Sequence, residues 1–113
     1  MKHSIKGEMS MPIFHVLGKK GTIEIIYKIK DGINTFTKLK NSLDMDGCGV
    51  STRTLAERLN ELEQENIIQK EGSKYYLTKK GYELIEIIEQ VKEWENKWEE
   101  SKIPKIVINM LKG

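Results

Sequence analysis

The sequence predicts an α+β, mostly helical fold, a winged helix-turn-helix with a two-stranded wing and terminal helices for dimerisation. Three observations carry that expectation. Apolar residues recur at helical spacing in three consecutive segments, a Gly72-Ser73 pair sits between two strand-like runs, and one long amphipathic segment follows them. At 113 residues the chain suits a single core. The expected organisation is a flexible N-terminal arm over residues 1–10 and one winged-helix domain over 11–113. That domain includes a long dimerisation helix (78–98) and an apolar C-terminal segment (103–111).

The run Met11 to Leu17, ended by Gly18, reads as a brief helix or docking arm with Pro12 in an early position, where a missing N–H is tolerated. From Thr22 to Lys30, Ile23, Ile26 and Tyr27 are expected on one helical face with Ile25 and Ile29 close beside it, and Asp31-Gly32 stops the helix. Ile33-Asn34 reads as a short strand. The Thr35 hydroxyl then caps a helix that turns Phe36, Leu39 and Leu43 to the core and ends near Asp44. The stretch Asp44 to Val50 is glycine-rich and turn-like, and Ser51 caps a third helix, Thr52 to Leu62. Its Leu55, Leu59 and Leu62 face the core and leave Arg53, Thr54, Glu57, Arg58 and Glu61 outward. Asn66 closes that helix. Ile67 to Glu71 and Lys74 to Leu77 flank Gly72-Ser73 as a tight hairpin, the candidate wing. Thr78 to Trp98 reads as one helix carrying Leu84, Ile85, Ile88, Val91, Trp94 and Trp98. Pro104 then opens a last segment in which Ile103, Ile106, Val107, Met110 and Leu111 are apolar. So much apolar surface at the end of a small chain predicts a partner.

Charge and composition narrow the function. The 19 Lys and Arg against 17 Asp and Glu leave a net charge of +2, too little to hold a protein on nucleic acid by bulk charge, so any such site is a local basic surface. With 38% hydrophobic and 32% charged residues the chain reads as globular, without an apolar run long enough for a bilayer and with no membrane partner expected. The first residues lack the apolar core of a secretory signal, so a cytoplasmic location is expected. Cys48, the one cysteine, can form neither an internal disulfide nor a zinc knuckle. His3 and His15 stand apart from any acidic or cysteine constellation, so neither catalysis, a cofactor nor a metal is expected.

A helix preceded by a packed helix and a turn can enter the major groove with its N-terminal residues at base edges. In the helix from Ser51, Arg53 suits a guanine edge or a phosphate. Ser51, Thr52 and Thr54 belong to the same candidate site, the threonines donating to phosphates or touching a thymine methyl. Arg58, further along, either joins them or forms a solvated pair with Glu57 or Glu61. Lys70 and Lys74 flank the hairpin turn and either neutralise phosphates or protect a sheet edge. Lys38, with Lys40 nearby, is a further phosphate candidate. Glu57, Glu61, Glu63 and Glu65 repel phosphate, so only the first turns of the helix are expected in the groove. Ile88, Val91, Trp94, Trp98, Ile106 and Met110 are the candidate dimer contacts. The expected partners are double-stranded DNA and a second copy of the chain, and the sequence does not identify a small-molecule effector. Two other readings stay open: a winged helix that binds only protein, suited to the near-neutral charge and acid-rich third helix, and a sequence-indifferent architectural DNA-binding protein. Oxidation of Cys48 would disturb the turn before the reading helix, but without a cationic neighbour an inert thiol is expected.

Three segments also fit a family pattern: Gly32 to Leu39 as Gly-x-x-x-Phe-x-x-Leu, Ser51 to Glu63 as Ser-x-x-x-Leu-x-x-x-Leu-x-x-Leu-Glu, and Tyr75 to Leu84 as Tyr-x-Leu-Thr-x-x-Gly-x-x-Leu. From about Leu17 to Trp98 the chain resembles the HxlR-type branch of the winged-helix regulators, itself close to the MarR group. It departs at the first main helix, where the family's Gly-Gly-Lys-Trp is replaced by Gly18-Lys19-Lys20-Gly21, and in its shorter wing. The resemblance implies a sequence-selective, homodimeric transcription regulator, joined through the N-terminal segment and the long C-terminal helix, each protomer offering one reading helix to a pseudo-palindromic site. Family members that sense electrophiles or oxidants do so through a cysteine before the first helix. Met11, beside Pro12, holds the nearest position here, so that switch is not implied.

Overall fold

The computed structural model of the protein describes residues 11–101, so the N-terminal arm and the segment with Ile106 and Met110 lie outside the described residues. Helix α1 is Pro12–Leu17, α2 Thr22–Lys30, α3 Phe36–Met45 and α4 Thr52–Gln64; strands β1, Ile68–Glu71, and β2, Lys74–Leu77, precede the long helix α5, Lys79–Ser101. The architecture is mostly helical α+β, a winged helix-turn-helix in which α3 and α4 are the two helices and β1–β2 the wing.

Local chemistry sets the boundaries. Pro12 opens α1, and the hydroxyls of Thr35 and Ser51 accept from the backbone N–H of Lys38 at 3.3 Å and of Thr54 at 3.0 Å. Helices α2, α3 and α4 all stop the same way, in a left-handed residue that lets the chain fold back on the last carbonyls. The N–H groups of Ile33, Cys48 and Ile67 each reach the carbonyl five residues earlier at 2.9 Å, and the pivots Gly32, Gly47 and Asn66 have φ of 90°, 77° and 60°.

Below Tyr82 the core is built from Ile25, Ile26 and Ile29 of α2, Leu39 and Leu43 of α3, Leu55, Leu59 and Leu62 of α4, and Ile67, Ile68, Tyr75 and Leu77 of the hairpin, all buried. The buried face of α2 differs from the expected one. Thr22, Ile25, Ile26 and Ile29 point inward at three and four spacing, while Ile23 and Tyr27 are half-buried. Phe36 is also only half-buried.

In the wing, Ile68 pairs with Leu77 and Glu71 with Lys74, leaving Gly72 and Ser73 as the turn. The expected strand at Ile33-Asn34 is reduced to a bridge one residue later, between Thr35 and Lys74, with the Tyr75 N–H donating to Asn34 O at 2.8 Å. The wing is thereby tied to the cap of α3. At the junction with α5, Thr78 Oγ1 lies 2.5 Å from Asn66 O and 3.1 Å from Ile67 O, and accepts from the Gly81 N–H at 3.0 Å. A Cβ at Gly81 would run into the Ile67 carbonyl oxygen.

The chain divides after Tyr82 into two compact units. In the second, Leu84, Ile85 and Ile88 are buried, whereas Ile87, Val91, Trp94 and Trp98 are exposed along α5.

Candidate nucleic-acid interface

Helix α4 starts at Ser51 because that hydroxyl accepts from the Thr54 N–H and donates to Thr54 Oγ1 at 3.0 Å, which occupies both side chains in the cap. With Leu55, Leu59 and Leu62 buried, the helical repeat turns Arg53, Ala56, Glu57, Asn60 and Gln64 to solvent, and all five are exposed. The Arg53 side chain is 89% exposed, its Nε only 3.4 Å from Glu57 Oε2. An ion pair so loose and so wet constrains the guanidinium little, leaving its donors available to a guanine edge or a phosphate. Thr52 is exposed beside it.

Arg58 and Glu61 do not look outward as expected. Arg58 Nε donates to Lys20 O at 3.2 Å and its Nη1 lies 3.4 Å from Glu61 Oε1, with only 15% of the side chain exposed. The other oxygen of Glu61 accepts from Lys19 Nζ at 2.5 Å. Both residues thus lie on a flank of α4 turned toward the loop that opens α2. The hydrogen bond from Lys19, aided by the positive charges of Lys19 and Arg58, holds the Glu61 carboxyl below the ordinary glutamate range, although partial burial opposes this. The pairing with Glu61 was readable from the sequence; the bond to Lys20 O was not.

The remaining basic candidates differ in freedom. Lys38 is exposed near the start of α3, whereas Lys40 is paired with Asp44 at 2.7 Å. Lys70 and Lys74 both flank the wing turn, but the register sends them to opposite faces of the hairpin. Lys70 shares a face with Tyr75 and its ammonium stands 5.5 Å from the centroid of that ring. Lys74 lies on the other face, across from Glu71. Asn60, which the sequence reading did not single out, continues the exposed row from Arg53 at three and four spacing, and a side-chain amide is a group that suits an adenine edge.

Of the dimer candidates within the described residues, Ile88 is buried in the protomer, while Val91, Trp94 and Trp98 are exposed and Ile87 completes their row. Cys48 is half-buried and lines a cavity of about 510 Å³ with Leu17, Ile23, Lys19 and Lys20. Among the described residues no cluster of His, Cys, Asp and Glu could hold a metal ion, and no helix is long and apolar enough to cross a membrane.

Residues 16–103 match the HxlR-like helix-turn-helix family. An uncharacterized HTH-type transcriptional regulator of Methanocaldococcus jannaschii is 76% identical over 101 residues, which are 89% of this chain and 95% of that protein. The HTH-type transcriptional regulator YodB of Bacillus subtilis is 32% identical over 88 residues, 72% of this chain and 75% of its own. The crystal structure of quinone-bound YodB has a TM-score of 0.67 at 32% identity, covering 76% of this chain and 93% of that one. The reduced form of YodB gives 0.66 at 30% identity, covering 79% and 94%. With the helix-turn-helix and wing falling inside the matched stretch, this protein belongs to the HxlR-like helix-turn-helix family.

Proposed function

We propose that the protein is a sequence-selective, double-stranded DNA-binding transcription regulator that acts as a homodimer. The observation that carries this reading is the exposed row of α4 that begins with Arg53, directly after the Ser51 cap, in a helix-turn-helix whose family relatives are named transcriptional regulators. Arg53 donates to a guanine edge or a phosphate, Thr52 and the capping pair Ser51 and Thr54 meet the backbone or a thymine methyl, and Asn60 lies further along the same face. Lys38 and Lys74 neutralise phosphates. Lys70 contributes through the far side of the wing tip, where its ammonium stands over the Tyr75 ring. Arg58 acts from behind the helix. The row Ile87, Val91, Trp94 and Trp98 meets its counterpart in a second protomer, with Ile106 and Met110 extending it, so that two reading helices address one pseudo-palindromic site. Nothing in this arrangement calls for a catalytic step.

Enrichment from a random duplex library by the full-length protein tests the proposal. Convergence on a two-fold symmetric motif is the expected result. Binding without enrichment would make the protein architectural, and failure to retain duplex at low salt would leave protein partners as its targets.

A further inference from the structure

The acid-rich second half of α4 would repel DNA, yet Glu61 is turned to the flank of the helix and half-buried: one oxygen accepts from Lys19 at 2.5 Å, and the other lies 3.4 Å from Arg58 Nη1. Arg58 in turn is fixed to Lys20 O. Lys19 and Lys20 belong to the short loop Gly18 to Gly21, and that loop touches the approach to α4 at a second place. Gly21 has a φ of 88°, and a Cβ there would stand 3.0 Å from Val50 Cγ1, in the turn just before the Ser51 cap. The same loop therefore seats α4 at two points, its entry turn at Val50 and Glu61, about three turns further on.

The core leucines of α4 bury area but impose little direction, since hydrophobic contact is non-directional. Charge-assisted hydrogen bonds are directional, and the one from Lys19 to Glu61 is short at 2.5 Å. Glu61 lies eight residues beyond Arg53, about 12 Å along a helix that rises about 1.5 Å per residue. A tilt of about 5° at the clamp moves Arg53 by about 1 Å, enough to break a bidentate bond to a base, whose useful range is only about 0.5 Å wide.

We propose that Lys19, Arg58 and Glu61 are positioning residues that set the tilt of the reading helix, so that an acid on the recognition helix raises selective DNA affinity without touching DNA. The proposal rests on α4 being the helix that enters the groove, and it makes the sign of the Glu61 effect the opposite of what simple repulsion gives.

The test uses the full chain and a duplex that the unaltered protein enriches from a random library, alongside an unrelated duplex of equal length. Binding is measured by fluorescence anisotropy over a range of salt, with melting curves for each variant. Glu61→Gln and Lys19→Met should each weaken binding to the enriched duplex about tenfold, leave binding to the unrelated duplex nearly unchanged, and preserve the slope of affinity against salt, because neither residue meets a phosphate. The double variant should lose little more than either single one, as expected for two ends of one contact, and Lys19→Arg, which keeps the charge, should restore binding. Unchanged or tighter binding by Glu61→Gln overturns the proposal, as does a shallower salt slope in Lys19→Met, fully additive losses, or failure of Lys19→Arg. A loss shared equally by both duplexes, or matched by a fall in the folded fraction, marks a merely structural role and also overturns it. If the unaltered protein enriches no duplex, the DNA reading itself has failed and the clamp falls with it.

Discussion

Arg53 and Gly81 show how differently single residues carry the structure. Arg53 touches little in the protein, with 89% of its side chain exposed and a long contact to Glu57, so its removal should leave the fold intact. Arg53→Ala is expected to weaken selective binding by about 1–3 kcal/mol, measured by anisotropy, with an unchanged melting temperature. At Gly81 the effect falls on the fold. Alanine inside a helix normally stabilises by about 1 kcal/mol over glycine, but here the added Cβ meets the Ile67 carbonyl oxygen, a backbone atom that cannot swing aside. Gly81→Ala should therefore destabilise, by about 2 kcal/mol or more, as read from urea unfolding. Glu61 adds a pH dependence whose sign is fixed by its partners. Its folded carboxyl titrates below the unfolded one, chiefly because Lys19 donates to it, so its stabilisation is full above the ordinary glutamate value of about 4.3 and is lost as the pH falls through the lowered value. Melting curves of the unaltered protein and Glu61→Gln should accordingly differ at neutral pH and converge in acid.

The elements were legible in the sequence where their causes are local. Thr35 and Ser51 cap the helices they were expected to cap, Asn66 ends α4, and Gly72-Ser73 makes the hairpin turn, because each rests on a side chain or φ value within a few residues. Two misreadings came from crowding and from distance. In α2 five apolar residues crowd nine positions, so periodicity alone favoured Ile23 and Tyr27 and missed that Thr22 belongs to the buried face. On α4 the partners of Arg58 and Glu61 stand about forty positions earlier in the chain, at Lys19 and Lys20, and no local pattern announces them. Alternation along the wing would have separated Lys70 from Lys74 once the register was known, and the same helical count that gave the leucine stripe of α4 would have found Asn60. The Ser51 cap gives an element-scale expectation: Ser51→Ala should cost about 1 kcal/mol in stability and loosen the very turn that presents Arg53, seen as a lower denaturation midpoint and weaker binding together.

For the whole molecule, the modest net charge of +2 concentrates any DNA affinity into a few placed groups, and so favours a selective protein over one that coats duplex. Ile87, Val91, Trp94 and Trp98 leave an apolar row on the outside of α5, and a second protomer is the expected occupant. Light scattering of the full chain at micromolar concentration should give twice the protomer mass, reduced toward one protomer by Trp94→Ala with Trp98→Ala. A dimer in turn places two copies of Arg53 on one duplex. The most direct measurement of that arrangement is fluorescence anisotropy of the full chain on duplex DNA from upstream of its own gene, at near-physiological salt and with excess random competitor. Tight binding that survives the competitor and weakens in Arg53→Ala is the predicted result; no binding to that duplex, nor to any other even at low salt, would contradict a DNA-reading role for α4.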